Sequence, residues 1–117
     1  MKYNLEERLI NFGVKIIELV ESMPSTKSAN HLAGQILRSG TSPALNYAEA
    51  QGGESDKDFL HKIKIVLKEL RETLVCLKII HKTKLFISEE KFTALLKEAD
   101  ELVAIFVTSV KTAEKRK

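Results

Sequence analysis

Tryptophan is absent from this chain of 117 residues, cysteine occurs once, proline twice and glycine five times. The single thiol, Cys76, excludes an intrachain disulfide, and with it the stapled small scaffolds of oxidising compartments. So little Pro and Gly excludes collagen-like and low-complexity chains. No apolar run approaches the ~18 residues that a membrane span needs. The start, MKYNLEERLINF, carries charges where a signal peptide would hold its apolar centre. A cytoplasmic chain is therefore expected.

The motifs of catalysis and metal binding are missing as well. Gly52-Gly53 lacks the GK[ST] ending of a phosphate loop, and neither HExxH nor CxxC occurs. His31, His61 and His81 are scattered; the last two lie 20 residues apart on one expected helix, roughly 30 Å by helix rise. Each reads as a surface or boundary side chain, and no metal, cofactor or catalytic residue is expected. Ser39, Ser42, Arg38 and Glu49 resemble a nucleophile with helpers, but no His or Lys shares their stripe to act as base.

What is present is helical. Leu, Lys, Glu, Ala and Ile dominate, and the length suits one domain spanning residues 1–117. A first helix runs from about Leu5 to Glu21. Leu5, Leu9, Phe12, Ile16 and Leu19 form its seam, Ile10, Val14 and Ile17 widen it, and Met23-Pro24 ends it. Ser25 or Thr26 caps a second helix, about Lys27 to Gln51, stopped by Gly52-Gly53. Ser55 caps a third that continues to about His81. Phe59, Ile63, Val66, Leu70, Thr73, Leu77 and Ile80 line its seam, and Leu60, Leu67, Leu74 and His81 form a second stripe. After the link 82–87, Ser88 starts a fourth, with Phe92, Leu95, Ala99, Leu102 and Phe106 as seam and Leu96, Val103, Val107 and Val110 beside them. It frays into a basic tail from about Lys111 to Lys117. Short links require antiparallel neighbours, so the expected fold is an all-α, up-down-up-down four-helix bundle. Apolar surface beyond one face per helix predicts burial against other copies, a closed homo-oligomer.

The second helix breaks helix rules in its middle. Gly40 and Pro43 cost roughly 1 and 3 kcal/mol relative to Ala, so a kink or brief interruption is expected there. Gln35, Arg38, Ser42, Asn46 and Glu49 step by 3, 4, 4 and 3 and share one face, while Leu32, Ile36, Gly40, Pro43 and Tyr47 mark another. This polar stripe reads first as structural, buried at a helix–helix or subunit contact, with Ser42 bonding a carbonyl one turn back. The other reading has Arg38 and Asn46 facing a ligand. Cys76 reads as a small core or interface residue.

The third helix carries a charge pattern. Lys57, His61, Lys64, Lys68, Arg71, Lys78 and Lys82 fall within about 100° of its circumference. No Asp or Glu interrupts that arc. Charged faces ordinarily alternate in sign, whereas a one-sign face repels itself and suits a nucleic-acid backbone or an acidic protein. Aromatics for stacking bases are absent from it, so backbone contact without sequence readout is the fitting mode. The expectation is RNA or DNA binding through Lys57, Lys64, Lys68, Arg71, Lys78 and Lys82. The alternative is a scaffold that docks an acidic protein by the same face.

Gln35, Arg38-Ser39, Ser42, Asn46, Ala48-Glu49, the Ser55 start and the KIVLKELRETLVCLKII segment resemble the bacterial "four helix bundle protein" family. Its founding members are encoded in intervening sequences of 23S rRNA genes, and it is similar to the accessory variability proteins of diversity-generating retroelements. The likeness runs from about Leu5 to Val110. It implies an antiparallel four-helix bundle, a homo-oligomer with a pentamer favoured, no enzymatic activity, and basic surfaces that meet nucleic acid and a reverse transcriptase. The chain departs from the pattern at three places. Pro43 follows Ser42 directly where an Ile commonly intervenes, Ala50 stands for the usual Gly, and Glu54 and Asp56 are acidic where many relatives are basic.

Overall fold

Four helices account for the computed structural model, which describes residues 4–53 and 55–116: α1 (Leu5–Ser22), α2 (Lys27–Gln51), α3 (Asp56–Thr83) and α4 (Glu89–Glu114). Each begins on a side-chain cap. Asn4, Thr26, Ser55 and Ser88 accept from the backbone N–H groups of Glu7, Ala29, Asp58 and Lys91. Acidic residues fill the first turns of α1, α3 and α4, where they complement the helix dipole. Lys84 ends α3 in the left-handed region at φ 57°, ordinarily a glycine conformation. The three links hold four or five residues and reach at most ~18 Å, well short of helices of 18 to 28 residues. Successive helices that pack side by side must therefore run antiparallel. Neighbours in space are α1–α2, α2–α3, α3–α4 and, least extensively, α1–α4. Among the described residues no helix is long and apolar enough to cross a membrane.

The seams converge on one core. Leu9, Phe12 and Ile16 of α1, Ile36 of α2, Ile63, Val66, Leu70, Thr73, Leu77 and Ile80 of α3, and Phe92, Ala99, Leu102 and Phe106 of α4 are buried. Ile10, Val14 and Ile17, expected to widen the α1 seam, are instead exposed. They lie on the flank of α1 that borders α2, outside the core arc. At the α3–α4 corner the His81 ring stacks at 5.7 Å on Phe86 and 5.6 Å on Phe92. Its Nε2 lies 3.3 Å from Glu89 Oε2.

The expected interruption of α2 does not occur: the helix is continuous from Lys27 to Gln51. Gly40 serves packing. A Cβ built there would lie 2.7 Å from Ile16 Cγ1 and 2.9 Å from its Cγ2, so Ile16 occupies the space that a side chain would need. Gly13 of α1 lies beside the same point, its own Cβ position 3.7 Å from the Gly40 carbonyl oxygen. Pro43 is buried on the core side of α2, where contact of its ring offsets part of the lost backbone bond. The back-bond expected of Ser42 is made by its neighbour: the Thr41 hydroxyl donates to the Leu37 carbonyl at 2.7 Å. The fourth helix also outlasts expectation, remaining helical to Glu114 rather than fraying from Lys111. Lys117, in the expected tail, and Glu54, in the acidic corner, lie outside the described residues, as do residues 1–3.

Two glycines of α2 should respond oppositely to alanine. Gly40→Ala should destabilise by about 1–3 kcal/mol, because Ile16 is buried and must shift. Gly34→Ala meets nothing within 4 Å and should stabilise by about 0.5–1 kcal/mol. Urea unfolding of the two variants measures both signs.

Candidate nucleic-acid interface

The outer face of α3 is set by its seam. With Val66, Leu70, Thr73 and Leu77 turned to the core, Lys57, His61, Lys64, Lys68, Arg71, Lys78 and Lys82 face solvent, and all are exposed. The flank of α3 toward α2 carries Lys62, Glu69 and Glu72. Glu69 and Glu72 thus stand off the basic face, paired with Arg38 of α2, and Lys62 pairs with Glu49 of α2. Within the basic row Lys64 reaches Glu114 of α4 at 3.6 Å. Lys57, Lys68, Arg71, Lys78 and Lys82 make no ion pair among the described residues.

Val75 and Ile79 stand in the same arc, 56% and 45% exposed. Their positions could have been read from the 100° periodicity, but attention to charge alone passes over them. Beside them a shallow groove of about 660 Å³ runs along α2 and α3, its floor including Leu32, Leu67 and Cys76 and its edge Lys64, Lys68 and Arg71. The Cys76 Sγ lies 3.8 Å from the Leu32 carbonyl oxygen, and burial pushes the thiol's pKa up. It fills space between two helices as a small apolar residue does.

The polar stripe of α2 is not buried. Gln35, Arg38 and Glu49 are exposed, and Ser42 and Asn46 half-buried. Spacing identifies a shared face but leaves open which neighbour it meets, and this face borders the solvent edge of the α2–α3 seam. Arg38 spans that seam to Glu69 at 3.2 Å and Glu72 at 3.0 Å. The hydrogen bond that Arg38 donates to Glu72, with the charge of Glu69, raises the guanidinium pKa. Lys62 pairs with Glu49 one stretch further along. Asn46 donates to the Ser42 carbonyl at 3.3 Å within its own helix.

The buried polar contact lies one residue away from the stripe. Ser39 and Thr73 are the buried polar side chains of the described core, and their hydroxyl oxygens stand 2.9 Å apart. Thr73 Oγ1 is also 2.9 Å from the Glu69 carbonyl oxygen. Each hydroxyl has one proton, so when Thr73 donates to that carbonyl, Ser39 donates to Thr73. Ser39 is thus engaged across the helix pair, away from Arg38 and Glu49. Among the described residues, no three His, Cys, Asp or Glu side chains gather in a way that could hold a metal ion.

A family model described as 23S rRNA-intervening sequence protein matches residues 2–108. The chain belongs to that family. A solved structure with the same fold is the crystal structure of a protein of unknown function from the S23 ribosomal protein family of Bacteroides thetaiotaomicron. It is 29% identical, covers 92% of this chain and 99% of its own, and superposes with a TM-score of 0.83. No curated protein matches the chain. Membership of the 23S rRNA-intervening sequence family accords with the all-α bundle and leaves the chemistry of the α3 face to be argued from its residues.

The Ser39–Thr73 pair should behave as a unit. Ser39→Ala and Thr73→Val should each cost about 1–2 kcal/mol, and the double variant less than their sum, since no hydroxyl is then left unpaired. A double-mutant cycle by chemical denaturation measures the coupling.

Proposed function

We propose that this chain is a non-enzymatic, homo-oligomeric helical bundle that binds the backbone of structured RNA or duplex DNA through the outer face of α3. The observation that carries the reading is the row Lys57, Lys64, Lys68, Arg71, Lys78 and Lys82, in which only Lys64 has an acidic partner among the described residues. By helix rise the row extends ~37 Å, and it has no aromatic side chain on which to stack an unpaired base. Contact is therefore with phosphates, independent of sequence.

Self-association is supported by a second face. Ile10, Val14 and Ile17 of α1 and Leu37 and Leu45 of α2 are exposed. The contact of Gly13 with Gly40 and Thr41 sets an antiparallel register in which Ile17 falls near Leu37, and Ile10 near Leu45. These exposed apolar side chains suit burial against another copy. Repeating the α3 face around such an assembly multiplies weak contacts by avidity.

Val75 and Ile79 favour a second reading, an acidic protein docked on the same basic face, because a phosphate backbone makes no use of apolar side chains. A nuclease-treated pull-down distinguishes the two. The nucleic-acid reading expects co-purified nucleic acid that nuclease removes, and the protein reading expects a partner that survives it.

Affinity for duplex should fall roughly 100- to 1,000-fold between 50 and 200 mM salt if four to six phosphates are engaged. Reversing Lys64, Lys68, Arg71 and Lys78 to Glu should abolish binding with helicity intact; binding that persists, or that is flat in salt, refutes the proposal. Sedimentation at micromolar concentration should give a multiple of 13.2 kDa. Val14→Lys with Ile17→Lys should reduce it to the monomer.

A further inference from the structure

The last turn of α4 is held in the bundle. The helix continues to Glu114, and Val110 and Ala113 near its end are buried. These two anchors turn Lys111 and Lys115 outward, Lys111 about 100° round the helix from Val110 and Lys115 about 160° from Ala113. Both lysines are exposed, and neither makes an ion pair among the described residues.

Charge is sorted unevenly over the helices. α1 carries four acidic residues against two basic ones, and α4 six against three. On α3 the balance is reversed, four acidic to seven basic. Within α4 the acidic bias belongs to one half. Glu89, Glu90, Glu98, Asp100 and Glu101 all precede Leu102, and from there to Arg116 only Glu114 is acidic.

Glu114 sets the register between the two helices, because its carboxylate lies 3.6 Å from Lys64 Nζ. In an antiparallel pair that contact places Lys111 level with Leu67, and Lys115 level with Ile63. Both lysines therefore stand beside the first half of the basic row. The row itself leans toward them. Measured round α3 from Lys68, the residues Lys64, Arg71, Lys78 and Lys82 lie about 40–80° toward α4. Glu72 and Glu69 lie about 40–100° the other way, toward α2. Packed helices have axes about 8–10 Å apart, so lysines from α3 and α4 reach a strand laid along their seam from both sides.

We infer that the last turn of α4 is a second wall of the nucleic-acid interface, where Lys111 and Lys115 bind phosphates of a strand held on its other side by Lys64, Arg71 and Lys78. This inference rests on the α3 reading proposed above. It adds a position: the strand follows the α3–α4 seam and keeps clear of the carboxylates on the α2 side.

The test uses the full chain and a fluorescein-labelled duplex of about 24 base pairs, made once as DNA and once as RNA, with anisotropy followed from 50 to 200 mM salt. Lys111→Ala with Lys115→Ala should lower the slope of log affinity against log salt by about 1.5–2, and weaken binding roughly tenfold or more at 100 mM. Helicity by circular dichroism should not change. Lys111→Arg with Lys115→Arg should restore the slope, since a guanidinium also pairs with phosphate. Lys91→Ala with Lys97→Ala removes the same charge from the acidic half of α4 and should leave the slope unchanged. The duplex on which the slope changes, DNA or RNA, identifies the source of the phosphates. An unmoved slope for the Lys111–Lys115 variant, beside a lowered one for Lys64→Ala with Arg71→Ala, overturns this inference and leaves the α3 reading standing. An equal effect from the Lys91–Lys97 variant, or no rescue by arginine, overturns it as well. A wild-type chain without salt-dependent binding overturns both readings.

Discussion

The seat of Ile16 on Gly40 sets the geometry on which the remaining helix positions depend. Any side chain at residue 40 would collide with Ile16. Ile16 is fully buried among Leu9, Phe12 and the α3 and α4 seams, so it has nowhere cheap to move. The contact fixes how near α1 stands to α2, and hence how far it stands from α4. Close approach on one side of α1 and a parted seam on the other are two aspects of one placement. Gly13 beside the same point lets the backbones approach where bulkier residues would hold them apart.

The fold was legible in the sequence wherever one physical rule acted alone. Ser55 and Ser88 were readable as caps, and Thr26 as one of two candidates with Ser25, because a hydroxyl before an apolar-periodic run has few other uses. The α3 seam was readable because steps of 3 and 4 continue for seven positions. Reading failed where two rules competed. Intrinsic propensity argues for a broken α2, yet burial of Pro43 and the seat of Ile16 keep it continuous, tertiary packing overriding a local preference. Ile10, Val14 and Ile17 read as core because apolarity says that a residue leaves water without saying what covers it.

The candidate surfaces divide in the same way. The basic row of α3 is local to one helix and could be drawn on a wheel. The polar stripe of α2 was recognised as a face but assigned to the interior. Its residues Arg38 and Glu49 instead sit at the solvent edge, paired with Glu69, Glu72 and Lys62 of α3. No pattern within any single segment sets Lys111 and Lys115 beside the α3 row, because they stand about fifty positions from Lys64. Membership of the 23S rRNA-intervening sequence family constrains the bundle and its helix order. It does not say why Glu69 and Glu72 of α3 are turned toward α2, which follows from their partner there.

The uneven sorting of charge between the α1 and α3 sides gives the molecule an electric moment across its short dimensions, independent of its small net charge. In a field from any highly charged surface such a body turns before it touches. Rotational diffusion is then biased, and the α3 side leads toward a polyanion while the α1 side trails. The bundle thus meets such a surface with its α3 side foremost more often than random tumbling would provide. Because the bias acts over about one Debye length, it fades as salt rises even where the contact surfaces themselves are unchanged.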